Sequence, residues 1–236
     1  MSTLEPSPHA VADGARPASP GRARKPGRGY RIAGWTLIAL GAVILEFALY
    51  ELVGTSMVTK NHQNALREEF EQLIDDPVVD PAPAESPAAD PPPRPIDSRA
   101  IALLKIPKVD VDVIVVEGVN LSQLSRGPGR YPSTAKFGAQ GSTAIAGHRT
   151  GWGSPFLNLD KLQSGDEITV ESVGGKLYRY RVTKRVIVGP EAVWVLRGNP
   201  DSEAASQLTL TTCDPKFTSR NRMIVWADLI SSETVA

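Results

Sequence analysis

Eight prolines between Asp75 and Ser98 divide this 236-residue chain into two unequal parts. They are Pro77, Pro81, Pro83, Pro87, Pro91, Pro92, Pro93 and Pro95. Because proline fixes φ and lacks a backbone N–H, neither a regular helix nor a central strand can run through such a segment. We expect it to form an extended, semi-rigid tether that contributes to no core. A folded domain must therefore lie to one side of it.

The part before the tether contains an apolar run from Ile32 to Leu52. At about 20 residues, the run is long enough to cross a lipid bilayer once as a helix. Six basic residues precede the run, namely Arg16, Arg22, Arg24, Lys25, Arg28 and Arg31, whereas only Lys60 and Arg67 closely follow it. Since basic flanks stay in the cytoplasm, we predict a single-pass anchor in the cell membrane, with a cytoplasmic N-terminus and an extracellular C-terminal domain.

A cleaved signal peptide is the alternative interpretation of this run. Against it, the basic region is long, the run exceeds the apolar core of a signal peptide, and no small-x-small cleavage site follows near Tyr50. Residues 1–31 lack hydrophobic periodicity, which predicts a disordered basic cytoplasmic tail. Residues 53–98 are predicted to hold a juxtamembrane helix over Thr55–Ile74, followed by the tether.

Residues 99–236 change to short β-rich runs separated by Gly, Pro and Asp turns. The predicted strands are Ala100–Ile106, Val111–Val116, Thr143–Ala146, Glu167–Ser172, Leu177–Val188, Val193–Leu196, Gln207–Thr212 and Met223–Leu229. Two short helices are predicted at Leu121–Ser125 and Pro155–Lys161. Many strands with little helix favour an all-β barrel or sandwich over a parallel α/β sheet.

The single cysteine of the chain, Cys213, ends one of these predicted strands. It points to the face opposite Leu210, and Asp214 and Pro215 stop the strand directly after it. With one cysteine no internal disulfide can form, so outside the cell this thiol is either a liability or a nucleophile. A small buried apolar residue is the alternative. The formal net charge of +0 gives no overall field for nucleic acid.

A thiol nucleophile needs a base and a donor for the developing oxyanion. His148 is the one histidine of the predicted domain, since His9 lies in the tail and His62 in the juxtamembrane segment. Arg220 and Arg222 both lie just before the last predicted strand, where a hairpin-like return could bring either of them beside Cys213. Spacing alone does not separate these two arginines.

Several stretches of this domain match short motifs of a known protein family. They are Thr209-Leu-Thr-Thr-Cys213 with Arg222-Met-Ile-Val, Ala146-Gly-His148-Arg-Thr with Gly151-Trp-Gly-Ser-Pro-Phe156, and, upstream, Ile106-Pro-Lys108, Val116-Glu-Gly-Val119 and Gly127-Pro-Gly-Arg-Tyr-Pro132. Together they resemble the cysteine, arginine, histidine and N-terminal motifs of the sortases over residues 100–230. The doubled threonine before Cys213 and the histidine run are most similar to class E, the actinobacterial housekeeping type.

The resemblance implies a closed β-barrel of about eight strands with short helices, preceded by one transmembrane helix. It also implies a cysteine transpeptidase that cleaves a sorting signal between Thr and Gly. Cys213 would be the nucleophile, His148 the proton donor and acceptor, and Arg222 the oxyanion stabiliser. Thr212 and Trp152 would contact the substrate or support these groups. Class E is expected to prefer Leu-Ala-x-Thr-Gly over Leu-Pro-x-Thr-Gly, and Trp152 stands where many of its members have tyrosine.

The partners implied are secreted proteins with a C-terminal sorting signal, a peptidoglycan precursor that supplies an amine, and the bilayer around residues 32–52. No nucleic acid partner and no cofactor are expected. One Cys and one His cannot form a zinc site without carboxylates, and no acidic cluster favours calcium.

Three alternative functions remain open at the level of sequence. A pilin-polymerising class C sortase would carry an Asp-Pro-aromatic lid, whereas Asp76, Asp80 and Asp90 each begin an Asp-Pro pair that no aromatic residue follows. A cysteine hydrolase of wall peptides would share the thioester intermediate, so analysis of the products decides between the two. A non-catalytic wall module would keep the thiol of Cys213 buried and inert to alkylation.

Overall fold

The computed structural model describes residues 28–50, 54–75 and 99–235. Within them, α1 spans Arg28–Leu49 and α2 spans Thr55–Asp75. In this described part, Gly29–Ala48 is the one stretch long and apolar enough to cross a membrane, a test that a signal sequence also passes. The helix begins four residues before the predicted run because helical geometry continues through its basic flank. The end of that run at Leu52, most of the predicted tail and most of the tether lie outside the described residues.

Residues 99–235 form a closed barrel of eight strands. The strands are β1 (Ala100–Ile106), β2 (Val111–Glu117), β3 (Gly129–Arg130), β4 (Gly141–Ala146), β5 (Glu167–Ser172), β6 (Lys176–Val188), β7 (Ser206–Asp214) and β8 (Asn221–Thr234). They are hydrogen-bonded in the order β1-β2-β3-β4-β7-β8-β6-β5. The pairs β2–β3 and β4–β7 are parallel, and the remaining pairs are antiparallel. The predicted closed barrel of about eight strands after an N-terminal apolar helix is confirmed.

The number of strands agrees with the prediction, but one predicted strand is absent and one observed strand, β3, was not predicted. The stretch predicted as the strand Val193–Leu196 is instead a 3₁₀ turn over Val193–Arg197. Its β-branched and aromatic residues suggested a strand, but the barrel is closed and leaves it no edge to join. The two-residue strand β3 has no pattern long enough to detect. The helix α3 spans Leu121–Leu124 as predicted, whereas of Pro155–Lys161 only Leu159–Lys161 is helical, again as a 3₁₀ turn.

The barrel interior is filled by side chains that alternate along each strand. On β7, Leu208 and Leu210 are fully buried in this core, together with Val225 of the adjacent β8. Burial of one such side chain contributes about 2 kcal/mol. Because successive side chains of a strand point to opposite faces, Thr211 and Cys213 lie on the outer face of the barrel wall.

A smaller apolar cluster covers part of that outer face. Trp226 of β8 is almost completely buried there, packs against Trp194 with ring centroids 5.9 Å apart, and donates its indole N–H to the carbonyl oxygen of Val195 at 3.1 Å. These contacts hold the Val193–Arg197 turn against the outside of the barrel. The segment therefore forms one wall above the outer surface of β7 and β8.

The helix α2 packs against the outside of the barrel at β1 and β2. Leu66 and Phe70 are buried in one cluster with Ala100, Leu103, Ile114 and Val116, and Ile74 packs against this cluster. The helix α2 and the barrel therefore belong to one compact unit. Apolar residues on one face of α2 are the physical reason, because isolated in water that face would remain exposed.

Candidate active site

The strand pairing places Cys213 directly opposite Arg222. The antiparallel pair β7–β8 aligns Cys213 with Arg222 and, two residues earlier, Thr211 with Ile224. Directly opposed residues of an antiparallel pair have Cβ atoms about 5 Å apart and point to the same face. The thiol is partly exposed, as is the arginine. A substrate carbonyl at Cys213 would therefore lie within reach of the Arg222 guanidinium.

The two arginines that sequence spacing left equivalent occupy different positions. Arg220 precedes β8 and is exposed, whereas Arg222 is part of the strand and pairs with Cys213. The Nη1 atom of Arg222 donates to the carbonyl oxygens of Ser219 at 2.9 Å and Asn221 at 3.0 Å. Among the described residues no carboxylate pairs with it, so its charge is not neutralised by a neighbouring side chain.

His148 lies at the same end of the barrel because β4 and β7 run parallel. Ala146 of β4 is aligned with Thr211 of β7, and the N–H of Gly147 donates to the carbonyl oxygen of Thr211 at 3.1 Å. His148 and Cys213 each follow these aligned residues by two positions. Adjacent strands are about 4.8 Å apart, so this register brings the imidazole and the thiol to neighbouring chain positions.

The surroundings of His148 favour its neutral form. The residue is partly buried, and burial lowers the pKa of its imidazole below the usual 6.5 because a buried cation loses its hydration. Among the described residues nothing hydrogen-bonds its buried Nε2 atom, and no bond links it to Cys213. Hydrogen bonds of a catalytic histidine often form only in the substrate complex.

Thr212 supports the histidine turn from inside the barrel wall. Its side chain is buried, and its hydroxyl donates to the carbonyl oxygen of Gly147 at 2.8 Å. The aromatic ring of Phe156 lies so close to Gly147 that a Cβ there would approach it to 2.6 Å. A side chain at position 147 would collide with this ring, which explains the glycine directly before His148.

Trp152 lies in the loop after His148 and contacts α2. Its backbone N–H donates to the Thr55 hydroxyl at 3.3 Å, and its φ of 48° is in the left-handed region. The described contacts of Trp152 therefore join the loop to the helix, and none of them reaches Cys213, His148 or Arg222. A direct substrate contact by this ring stays a prediction.

Arg149 is a site residue to which the sequence analysis gave no role. Its side chain is only 4% exposed, donates to the carbonyl oxygen of Cys213 at 3.3 Å, and forms ion pairs with Asp214 and, at 3.2 Å, with Asp160. It follows His148 directly, and Asp214 follows Cys213 directly. The buried pair therefore fastens the histidine turn to the end of β7. In the sequence, a positive charge directly after His148 and a negative charge directly after Cys213 were the signal that could have predicted this ion pair.

A cleft on the outer face leads to this pair of strands. It is lined by Tyr131, Val188, Gly189, Pro190, Ala192, Val193, Val195, Leu196, Thr211, Arg222 and Ile224. Thr211 and Ile224 are the aligned pair next to Cys213 and Arg222 on the same face. Of the candidate catalytic residues, Arg222 lines this mostly apolar cleft, and Cys213 is aligned with Arg222 on the same face. A different cleft, along α2, includes none of the candidate catalytic residues.

Across residues 28–50, 54–75 and 99–235, no group of three or more His, Cys, Asp or Glu side chains is arranged to hold an ion. The site brings together a thiol, an imidazole and a guanidinium, which are groups that can serve acyl transfer.

Asp214→Asn should lower the free energy of unfolding by roughly 1–3 kcal/mol, because Arg149 would keep only Asp160 as a charged partner in a buried setting. Urea denaturation measures the change. The matched control is Asp201→Asn, since Asp201 forms an exposed pair with Lys184 at 2.6 Å and should change stability by about 0.5 kcal/mol or less. Equal effects of the two substitutions would show that the Arg149–Asp214 pair does not hold the two segments together.

Comparison with known proteins identifies the family. The family model of the sortase domain matches residues 104–230. The chain is 35% identical to sortase SrtE1 of Streptomyces coelicolor over 89% of its own length, and 32% identical to sortase SrtE2 of the same organism over 90%. It spans 60% of the length of the first relative and 88% of the second.

Solved structures agree with this similarity. The crystal structure of sortase E1 from Streptomyces coelicolor with a tripeptide in its active site has 37% identity and a TM-score of 0.54, covering 57% of this chain and 90% of that one. A Clostridium perfringens sortase D5 transpeptidase has 28% identity and a TM-score of 0.56, covering 75% of this chain and 100% of that one. The chain therefore belongs to the sortase family of cysteine transpeptidases and is most like its class E.

Proposed function

We propose that this protein is a membrane-anchored transpeptidase that cleaves a C-terminal sorting signal between Thr and Gly and transfers the new carboxyl end to a peptidoglycan amine. The observation that carries the proposal is the alignment of Cys213 with Arg222, with His148 at the end of the neighbouring parallel strand. A thiol, a directed cation and a largely neutral imidazole at one open end of a barrel suit acyl transfer through a thioester.

The first half-reaction forms the thioester. His148 takes the proton of the Cys213 thiol, and the sulfur attacks the carbonyl carbon of the signal's threonine. The carbonyl oxygen becomes an oxyanion, which the Arg222 guanidinium stabilises. As the tetrahedral intermediate collapses, the C–N bond to glycine breaks, and His148 returns its proton to the leaving amine. The N-terminal part of the client protein then remains on sulfur.

The second half-reaction reverses these roles. An amine of a peptidoglycan precursor attacks the thioester carbonyl, and His148 accepts the amine proton. The C–S bond breaks, an amide forms, and the proton returns to the sulfur. Burial of His148 assists both half-reactions, because each begins with a neutral imidazole that accepts a proton.

The test uses the full chain in detergent micelles, peptides ending in Leu-Ala-x-Thr-Gly or Leu-Pro-x-Thr-Gly, and a small amine. Intact-mass spectrometry should detect an acyl adduct on Cys213, and the released product should carry the amine. Exclusive formation of the free acid with amine present would indicate a hydrolase. Absence of any adduct, with Cys213 inert to alkylation, would indicate a non-catalytic module.

The preference between alanine and proline in the signal belongs to the same test. The resemblance to class E favours Leu-Ala-x-Thr-Gly, and the apolar cleft beside Arg222 is where the residues before threonine would lie. We expect a higher kcat/KM for the alanine peptide. A higher value for the proline peptide would contradict the class E preference while leaving the transpeptidase itself supported.

The rate of the second half-reaction should begin to fall only below pH 6.5 as the solution is made more acidic. Because burial lowers the pKa of His148, the neutral imidazole persists to lower pH than that of an exposed histidine. With a preformed thioester and a weakly basic amine, the rate corrected for free amine should stay constant through pH 6.5 and fall only at lower pH. A ring-proton NMR titration of His148, identified by loss of its signal in His148→Gln, measures the pKa directly. A midpoint above 6.5 in both measurements would contradict the prediction.

The orientation in the membrane follows from charge. Six basic residues precede the apolar run Ile32–Leu52 and two closely follow it, which supports a cytoplasmic N-terminus and an extracellular barrel. Protease added to intact protoplasts should degrade residues 99–236 and spare an epitope tag at the N-terminus. Protection of the barrel, with degradation of the tag, would establish the opposite orientation.

A further inference from the structure

The helix α2 contacts the barrel through polar side chains as well as apolar ones. Thr59 donates to the carbonyl oxygen of Ser125 at 2.8 Å. Gln63 accepts the N–H of Ile114 at 2.7 Å and donates to its carbonyl oxygen at 3.0 Å, as a neighbouring strand would. It also donates to the carbonyl oxygen of Arg126 at 2.8 Å. Directed bonds of this kind specify one position of the helix, which apolar contacts alone do not.

The first turns of α2 lie against the loop that follows His148. Thr55 accepts the N–H of Trp152, and the methyl group of Thr59 lies so close to Gly153 that a Cβ there would approach it to 3.1 Å. Thr55 and Thr59 are both buried, so these contacts exclude water. The helix thus touches two successive residues of the loop through two residues one turn apart.

This loop has a backbone that needs support. Four successive residues, Gly151, Trp152, Gly153 and Ser154, have φ values of 72°, 48°, 73° and 46°. For Trp152 and Ser154 such values are strained, and strained residues persist only where the surrounding structure holds them. The loop returns to its start, because the N–H of Phe156 donates to the carbonyl oxygen of His148 at 3.1 Å. The end of the loop is therefore bonded directly to the backbone of His148.

We propose that Thr55 is a positioning residue for the transfer reaction, holding the Trp152 loop and through it His148 in the working arrangement. The inference rests on the proposed function of His148. The helix α2 is then part of the catalytic unit and not only a connection to the membrane. Because Thr55 follows the apolar stretch closely in the chain, the same contact links the site to the membrane-proximal end of α2. Ile74 of α2 and Ala100 of β1 pack at one apolar cluster, so the end of this helix also lies against the barrel.

The experiment compares three variants of the full chain in detergent micelles. Thr55→Val keeps the shape of the side chain but removes the oxygen, Thr55→Ser restores a hydroxyl, and Thr234→Val is the matched control at the exposed far end of β8. For Thr55→Val we expect kcat to fall between about two- and tenfold, the range for one lost hydrogen bond, with the KM for the signal peptide unchanged. Thr55→Ser should recover most of the rate, and Thr234→Val should match the wild type.

Two further readouts separate positioning from general destabilisation. Cys213 should remain accessible to alkylation in Thr55→Val, since β7 keeps both neighbouring strands. Amide hydrogen exchange at Trp152 should be faster in Thr55→Val, because the bond from this N–H to the Thr55 hydroxyl is lost. The exchange measurement does not depend on transfer activity, so it tests the contact even if the proposed function fails. Unchanged exchange at Trp152, an unchanged kcat, or an equal loss in Thr55→Ser would overturn the proposal.

Discussion

Cys213→Ala should abolish acyl-adduct formation and lower transfer by at least about ten-thousandfold. Without the sulfur no thioester forms, and neither His148 nor Arg222 offers a replacement nucleophile. When catalytic residues act as a unit, removing one of them leaves little activity. The sulfur lies on the outer, partly exposed face of β7, whose backbone remains paired with β4 and β8. The barrel should therefore unfold at nearly the wild-type urea concentration, with a loss of about 1 kcal/mol or less.

The measurement is transfer of a signal peptide to an amine, with intact mass recorded in parallel. Cys213→Ser is the matched variant, because it keeps a hydrogen-bonding side chain of similar size but replaces the thiol by a much weaker nucleophile. Both variants should bind peptide and form no stable adduct. Transfer by Cys213→Ala at a rate near the wild type would assign the chemistry to another residue.

Arg222→Ala should lower the transfer rate by about a hundred- to a thousandfold, and Arg222→Lys should fall between this variant and the wild type. The loss of one well-placed oxyanion donor costs about 3–4 kcal/mol of transition-state stabilisation. A guanidinium is a planar fork that can bond the oxyanion and a neighbouring carbonyl group together, whereas an ammonium is a point charge on a flexible stem. Because Arg222 is aligned with Cys213, its fork lies on the same face as the thiol.

Arg220→Ala is the matched control for this prediction. Arg220 is exposed and precedes β8, so its removal should change turnover by only a few-fold. Steady-state transfer rates of the three variants decide the point, and alkylation of Cys213 should proceed in all of them. If Arg220→Ala were the impaired variant, the role assigned to Arg222 would be wrong.

The sequence by itself determined the class of fold and the face of the reactive strand. Alternation of apolar and polar residues through Leu208–Cys213 depends only on neighbours in the chain, so it predicted correctly that Cys213 points away from the core residue Leu210. The motifs around Cys213 and His148 predicted the family, which the family model and the relatives confirm. The catalytic roles of these residues stay predictions.

The tertiary structure decided what depends on pairing between segments. The register of β7 and β8 places Arg222, and not Arg220, opposite Cys213, a choice that spacing in the sequence left open. Two other contacts join residues about 50 or more positions apart in the chain. Arg149 is buried against Asp214, and also against the nearer Asp160, and Gln63 docks on Ile114. Val193–Arg197 had the residues of a strand, yet it lies outside a barrel that was already closed. Local sequence sets what a segment can form, and the competition for partners in the folded chain sets what it does form.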